Sequence, residues 1–210
     1  MINIKNIIFD LGGVLLNIDY NKTVEAFEAI GYKNFSETFS HYKASPLVQG
    51  FETGKVTEEV FFTGLKKIAN FTVTNEQLIA AWNAMLFDFR TESLKQLEKL
   101  AVNYKLYLLS NTNETHYNSF KKIAIRDTGV KDIDEYFTKA YYSHHIGLRK
   151  PYAEAYNFVL NNANLAAEET LFIDDLLPNT EAADKLGIKT HLLLPDETVE
   201  TLDWDKLLQG

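Results

Sequence analysis

Hydrophobic runs and polar breaks alternate along the chain, and one run organises the rest. Ile7-Ile8-Phe9 ends in Asp10, two glycines follow, and Val14-Leu15 restores the apolar pattern. This reads as a buried strand that delivers one carboxylate to a tight backbone turn. After residues 17–20 the period becomes helical. A helix over 22–30 has Val24, Phe27 and Ile30 on one face and Gly31 as its stop. Segments 34–42, 46–53, 57–69 and 75–87 keep the helical period, with short polar joints between them. Thr57 before Glu58-Glu59-Val60 and Thr74 before Asn75-Glu76-Gln77 are start signals, in which a hydroxyl accepts from a backbone N–H of the first turn. The pattern predicts no strand between Tyr20 and Arg90.

From residue 92 the register changes. Helices are predicted over 92–100, from 114 to about 123, over 152–161 and over 179–186, the last stopped by Gly187. Between them lie strand-like runs at 105–110, 137–142, 170–173 and 189–193. Strands alternating with helices imply parallel pairing, right-handed crossovers and a sheet buried between helical layers. The fold class is therefore α/β, a doubly wound parallel sheet carrying an inserted all-helical cap. Residues 1–16 and 90–210 form the core and 17–89 the cap. Both junctions follow the first strand, which puts the insertion over the carboxyl end of the sheet and above Asp10. Aromatic residues such as Phe27, Phe51, Phe61 and Trp82 are expected to fill the cap, with one or two left to face a ligand.

A chain of 210 residues accommodates one such core with its insertion. A content of 46% hydrophobic and 24% charged residues places it among ordinary globular proteins rather than disordered ones. The net charge of -8 provides no overall attraction to nucleic acid or an anionic membrane, so an anionic ligand needs a local cation. The absence of cysteine excludes disulfides, thiolate catalysis and cysteine-held metals. The opening residues lack the pattern of a signal peptide and no apolar run reaches membrane-spanning length, so a cytoplasmic protein is expected.

Polar groups stand at four strand ends: Asp10, then Ser110-Asn111-Thr112, then Arg149-Lys150-Pro151, then Asp174-Asp175. Each alone has an ordinary explanation as a helix cap, an exposed cation before a proline, or a turn. Ligands of open parallel sheets bind at the carboxyl ends of the strands, so together these groups outline a site.

In this order and at these positions the four stretches resemble the motifs of the haloacid dehalogenase-like (HAD) hydrolase superfamily, over nearly the whole chain. Phe-Asp-Leu-Gly-Gly-Val, Ser-Asn-Thr-Asn, Gly-Leu-Arg-Lys-Pro and Ile-Asp-Asp are most similar to a bacterial branch acting on sugar phosphates, which includes glucose-1-phosphate phosphatases. The resemblance implies a phosphoric monoester hydrolase that cleaves a small phosphorylated metabolite through an aspartyl-phosphate on Asp10. It implies Mg2+ held by Asp10, the Gly12 carbonyl and Asp175, with Asp174 a second or water-mediated ligand. The Ser110 hydroxyl and the Asn111 amide would donate to phosphoryl oxygens, and Lys150 would hold the remaining charge and orient the nucleophile.

One position departs from the resemblance. Most phosphatases of the superfamily carry a general acid two residues after the nucleophile, and here that residue is Gly12. Loss of such a group costs about 10² to 10⁴ in rate. His41, Asp19 or a metal-bound water are the substitutes considered, with a surface position for His41 and a helix cap for Asp19 as their simpler readings. His144 and His145 are adjacent and are expected to point apart, so no joint metal site is expected of them and they receive no role. Two alternatives follow: a phosphate-binding regulatory protein with little activity, kept open by Gly12, and a dehalogenase using Asp10 on carbon. The acidic pair Asp174-Asp175 would repel a departing halide, which weighs against the latter. Oligomeric state leaves no mark in the sequence.

Overall fold

The structure, a computed structural model, describes residues 3–33, 35–37, 45–69 and 71–209. The first strand, β1 (Asn6–Phe9), is wholly buried. It is followed by β2 (Leu16–Ile18), α1 (Tyr20–Ala29), α2 (Pro46–Glu52), α3 (Glu58–Ile68), α4 (Asn75–Asn83) and β3 (Leu86–Phe89). The second part runs α5 (Thr91–Leu100), β4 (Lys105–Ser110), α6 (Glu114–Thr128), β5 (Lys139–Tyr142), α7 (Ser143–Ile146), α8 (Ala153–Ala163), β6 (Thr170–Asp174), α9 (Leu177–Asp184), β7 (Lys189–Leu192) and α10 (Trp204–Leu208).

Five strands form one parallel sheet in the order β5-β4-β1-β6-β7. Both faces of this sheet are covered, one by a cluster that includes Ile7, Phe9, Leu97, Leu108 and Phe120, the other by one that includes Ile8, Leu109, Tyr156 and Phe172. Alternate residues of β1 thus enter opposite layers, which is why its sequence is continuously apolar. The chain leaves β1 outward through β4 and β5, then returns to β1's other side with β6. That reversal opens a crevice at the carboxyl ends of the central strands.

A separate buried cluster fills the helical segment. Phe27, Phe51, Phe61, Phe62, Leu78 and Trp82 belong to it, with the rings of Phe51 and Phe61 stacked at 4.2 Å. Thr57 accepts from the Val60 N–H, and Thr74 and Gln77 form a reciprocal capping box. Of the predicted helix over 34–42, only residues 35–37 are described, and they are helical; His41 lies outside the described residues.

The expectation of no strand between Tyr20 and Arg90 is overturned. The predicted helix over 75–87 stops at Asn83, and Leu86–Phe89 forms β3, antiparallel to β2. Its partner lies about seventy residues away in sequence, so nothing local signals the pairing. Arg90 fastens this junction by donating from Nε to Asn17 Oδ1 at 2.7 Å and from Nη1 to the Val14 carbonyl at 3.3 Å. The helix starting at Glu114 also outruns its predicted end near 123. It continues to Thr128 because Ala124 is still buried, and it ends at Gly129 with φ 75°. No helix among the described residues is long and apolar enough to cross a membrane.

Candidate active site

The register of the sheet sets the site. Phe9 is aligned with Leu108 and Ile173, so the next residues of all three strands reach one edge together. Asp10 still belongs to the ladder through its N–H, which donates to the Ile173 carbonyl at 2.9 Å. The chain then turns sharply: Leu15 and Leu16 donate to the Leu11 carbonyl, and Gly13 donates to that of Leu16. Gly13 adopts φ +77°, the left-handed region, where a side chain is strained.

Three carboxylates gather at this edge. Asp10, Asp174 and Asp175 can each present an oxygen within 4.8 Å of the others. A single ammonium joins two of them directly: Lys150 Nζ lies 2.7 Å from Asp10 Oδ1 and 2.6 Å from Asp174 Oδ2. Its side chain is 1% exposed. Burial opposes the charge on Lys150, but Asp10 and Asp174 outweigh it and hold the ammonium above its usual range. The balance for Asp10 runs the other way. Burial pushes its carboxyl up to about 7; Lys150 draws it down, while Asp174 and Asp175 add to the rise. Asp175 is raised too, by burial and by Asp174.

Asp174 and Asp175 have different surroundings. Asp174 is fully buried, and its oxygens accept from Lys150, from the Leu176 N–H at 2.8 Å and from the Asn179 amide at 2.9 and 3.0 Å. Its oxygens thus position the lysine, while Asp174 stands in the same three-carboxylate cluster as Asp10 and Asp175. Asp175 faces the cavity and reaches back over Gly13. Asp10, Asp175 and the backbone at Gly12 line the cavity as oxygen donors for a hard cation, with Asp174 adjoining them. Three clustered carboxylates against one buried ammonium leave a surplus of negative charge, which suits a divalent ion.

Asn111 clasps the backbone of the lysine. Its amide nitrogen donates to the Lys150 carbonyl at 2.9 Å and its oxygen accepts from the Lys150 N–H at 2.9 Å. The side chain therefore holds the lysine's backbone with its oxygen and one N–H, and the second N–H of the amide is a further donor. Ser110 is buried at the end of β4 and lines the cavity. Asp19 caps α1 by accepting from the Asn21 N–H and is absent from the residues lining the cavity.

The cavity above these groups measures about 110 Å³. Residues that motif reasoning missed complete it. Tyr20 and Glu52 come from the helical segment, and Arg149 pairs with Glu52 at 3.1 Å. Burial, then Asp10, Asp175 and Glu52, push the Tyr20 phenol upward, so it remains a neutral hydroxyl. His116 lines the cavity as well, but its nitrogens are committed: Nε2 lies 3.0 Å from the Trp82 carbonyl and Nδ1 3.1 Å from the Asn113 amide. These partners assign a proton to Nε2. Burial lowers its pKa to about 4, so the ring stays neutral. Apart from Arg149 beside Lys150, no motif pointed to these residues.

A doubly wound sheet with an acid at the end of its central strand and a buried lysine across the crevice defines a hydrolase of the HAD type. The chain belongs to the haloacid dehalogenase-like hydrolase family, whose model matches residues 4–187. It is 31% identical over 187 residues to the D-ribitol-5-phosphate phosphatase of Bacteroides thetaiotaomicron, covering 89% of this chain and 90% of that protein. The crystal structure of a HAD family enzyme from the same organism superposes with a TM-score of 0.87 at 35% identity, covering 99% of this chain and all of the other. The wild-type form of that enzyme has also been solved in complex with magnesium and inorganic phosphate, with a TM-score of 0.85, 35% identity and coverage of 98% and 100%. A predicted HAD-like hydrolase from Porphyromonas gingivalis is similar at 30% identity and a TM-score of 0.83, covering 99% and 98% of the two chains.

Proposed function

We propose that the protein is a cytoplasmic, magnesium-dependent phosphatase acting on a small phosphorylated sugar or polyol, with residues 17–89 as a cap over the site. The observation that carries this reading is the Asp10–Lys150–Asp174 arrangement with Asp175 beside it: a nucleophile, a buried cation and surplus carboxylate at one strand edge. Asp10, Asp175 and the Gly12 carbonyl would hold Mg2+, which neutralises the clustered carboxylates and polarises the phosphoryl oxygens when bound.

Lys150 binds Asp10 Oδ1 and leaves Oδ2 to attack phosphorus. The bond to the ester oxygen breaks as the aspartyl-phosphate forms, and water then cleaves that intermediate to release phosphate and restore the carboxylate. Lys150 and the Ser110 hydroxyl stabilise the phosphoryl charge. Asn111 and Asp174 position the lysine from its backbone and its tip.

Gly12 cannot protonate the departing alcohol. Among the described residues, Glu52 is the one lining acid besides Asp10 and Asp175; its pairing with Arg149 favours the carboxylate, so it would need to take up a proton before serving the leaving alcohol from the cap side. Tyr20, Glu52, Arg149 and Thr112 give the small cavity a polar wall suited to hydroxyl groups. The named activity of the D-ribitol-5-phosphate phosphatase supports a polyol or sugar phosphate as the substrate class.

The test is phosphate release from D-ribitol 5-phosphate and a panel of sugar phosphates, with magnesium and with chelator. Turnover that vanishes with chelator supports the reading. Phosphate binding without turnover on any member would favour the regulatory alternative that Gly12 suggests.

A further inference from the structure

A second cluster, separate from the carboxylates, gathers at the turn that directly follows β5. In α7 the rings of His144 and His145 lie with centroids 4.0 Å apart and planes at 41°. Neighbouring side chains on a helix normally diverge, and the expectation that these two point apart is overturned. Gly147, with φ 73°, ends α7 after a single turn. The rings of Tyr117 and Tyr142 wall in both imidazoles.

Glu114, the first residue of α6, faces the pair. Its Oε1 accepts from the Asn118 amide at 3.0 Å, which turns Oε2 to within 3.5 Å of His144 Nε2. Glu114, His144 and His145 can each present a ligand atom within 4.8 Å of the others. The side chain of His144 is only 4% exposed, and neither ring nitrogen has a hydrogen-bond partner among the described residues. Unmatched buried polar atoms are costly and call for a reason.

We propose that Glu114, His144 and His145 form a peripheral binding site for a borderline divalent transition-metal ion of the zinc, cobalt or nickel class. Two imidazoles and one carboxylate are a donor set for such ions, whereas magnesium selects oxygen. His144 is fixed by burial, while His145 and Glu114 are exposed and free to close on an ion. The fixed ligand also sits at a structural seam. A Cβ on Gly54 of the helical segment would lie 2.2 Å from the His144 carbonyl oxygen, and Thr115, next to Glu114, donates to Glu58 of α3 at 2.6 Å. On the other side Ser143 fastens Thr112 through two 2.9 Å hydrogen bonds. An ion here would tie α6 to α7 where the helical segment rests on the sheet.

The experiment titrates Co2+ into the full chain in excess magnesium, following heat and visible absorption. One equivalent is expected to bind at micromolar concentration, with a cobalt spectrum showing nitrogen ligation and a raised melting temperature. His145→Ala and Glu114→Gln, both at exposed positions, should each weaken binding roughly tenfold or more. Asp175→Asn should leave it unchanged, which separates this site from the carboxylate cluster. The proposal is overturned if the wild-type chain binds no Co2+ below millimolar concentration. It is equally overturned if both peripheral variants bind as the wild type does, or if Asp175→Asn alone removes binding.

Discussion

Asp175 places a carboxylate oxygen where any side chain at position 13 would begin: a Cβ on Gly13 would lie 2.2 Å from Asp175 Oδ2. The turn after Asp10 and the acid after β6 are thus built against each other, and glycine is required by this contact as well as by its φ of +77°. Gly13→Ala should cost about 1–2 kcal/mol from the left-handed backbone alone, and more because the carboxylate must move. Urea unfolding measures the first effect and magnesium affinity the second. A variant with unchanged stability and unchanged magnesium binding would refute the contact.

Gly12 presents a different case, since its backbone is unstrained and the obstacle is a neighbour. A Cβ there would meet Ile18 Cδ1 at 3.0 Å. Gly12→Asp, which places a carboxyl two residues after Asp10, should destabilise the protein by about 1–3 kcal/mol through crowding. Ile18→Val should recover part of that loss. A double-mutant cycle checks it: the expected result is that Ile18→Val is markedly less costly beside Gly12→Asp than in the wild type, and strict additivity would show that Ile18 is not the obstacle.

Lys150 is the only cation in direct ion-pair contact with the carboxylate cluster among the described residues. Lys150→Met removes the charge but keeps the bulk, leaving Asp10 and Asp174 buried without their partner. A loss of about 3–5 kcal/mol in stability is expected, together with loss of phosphate release. Adding Asp174→Asn to Lys150→Met should restore part of the stability without restoring activity. If the single variant unfolds at the same denaturant concentration as the wild type, the buried ion triad contributes nothing to the fold.

The chelated protein should lose stability as the pH rises. Burial and the neighbouring carboxylates raise Asp10 from 3.8 to about 7, so the folded chain favours its protonated form. This contribution is complete below about pH 3.8 and disappears as the pH climbs through about 7. Asp175, raised by burial and by Asp174, acts in the same direction. Unfolding curves between about pH 5 and pH 8 should therefore slope downward in chelator, less so in Asp10→Asn, and less so in excess magnesium, which favours the ionised form. Equal slopes in all three would remove Asp10 from the account.

Much of this was legible from residue patterns, for identifiable reasons. β1, β4 and β6 are buried on both faces, so their apolar runs stand out, and each ends abruptly in a polar residue at the sheet's edge. What escaped depends on partners far away in sequence. β3 exists because β2 pairs with it, and Phe87 and Asp88 on its exposed positions give no strand signal. The different surroundings of Asp174 and Asp175 are set by Lys150, 24 residues from Asp174, which no local pattern connects to either acid. The clasp of Asn111 on the Lys150 backbone joins residues 39 positions apart, so no local pattern shows it. Glu52 and Arg149 come from separate parts of the sequence, and only the packing of α2 against the core brings them together.

The central claim is that Asp10 becomes phosphorylated during turnover. Rapid quenching of the magnesium-loaded protein with a phosphorylated polyol that it hydrolyses, followed by borohydride reduction and peptide mass analysis, reads this directly. An acyl phosphate at Asp10 is reduced to homoserine, so position 10 should show homoserine, in an amount that falls to nothing in chelator. Phosphate release with Asp10 unmodified at every quench time, or undiminished release by Asp10→Asn, would contradict the account.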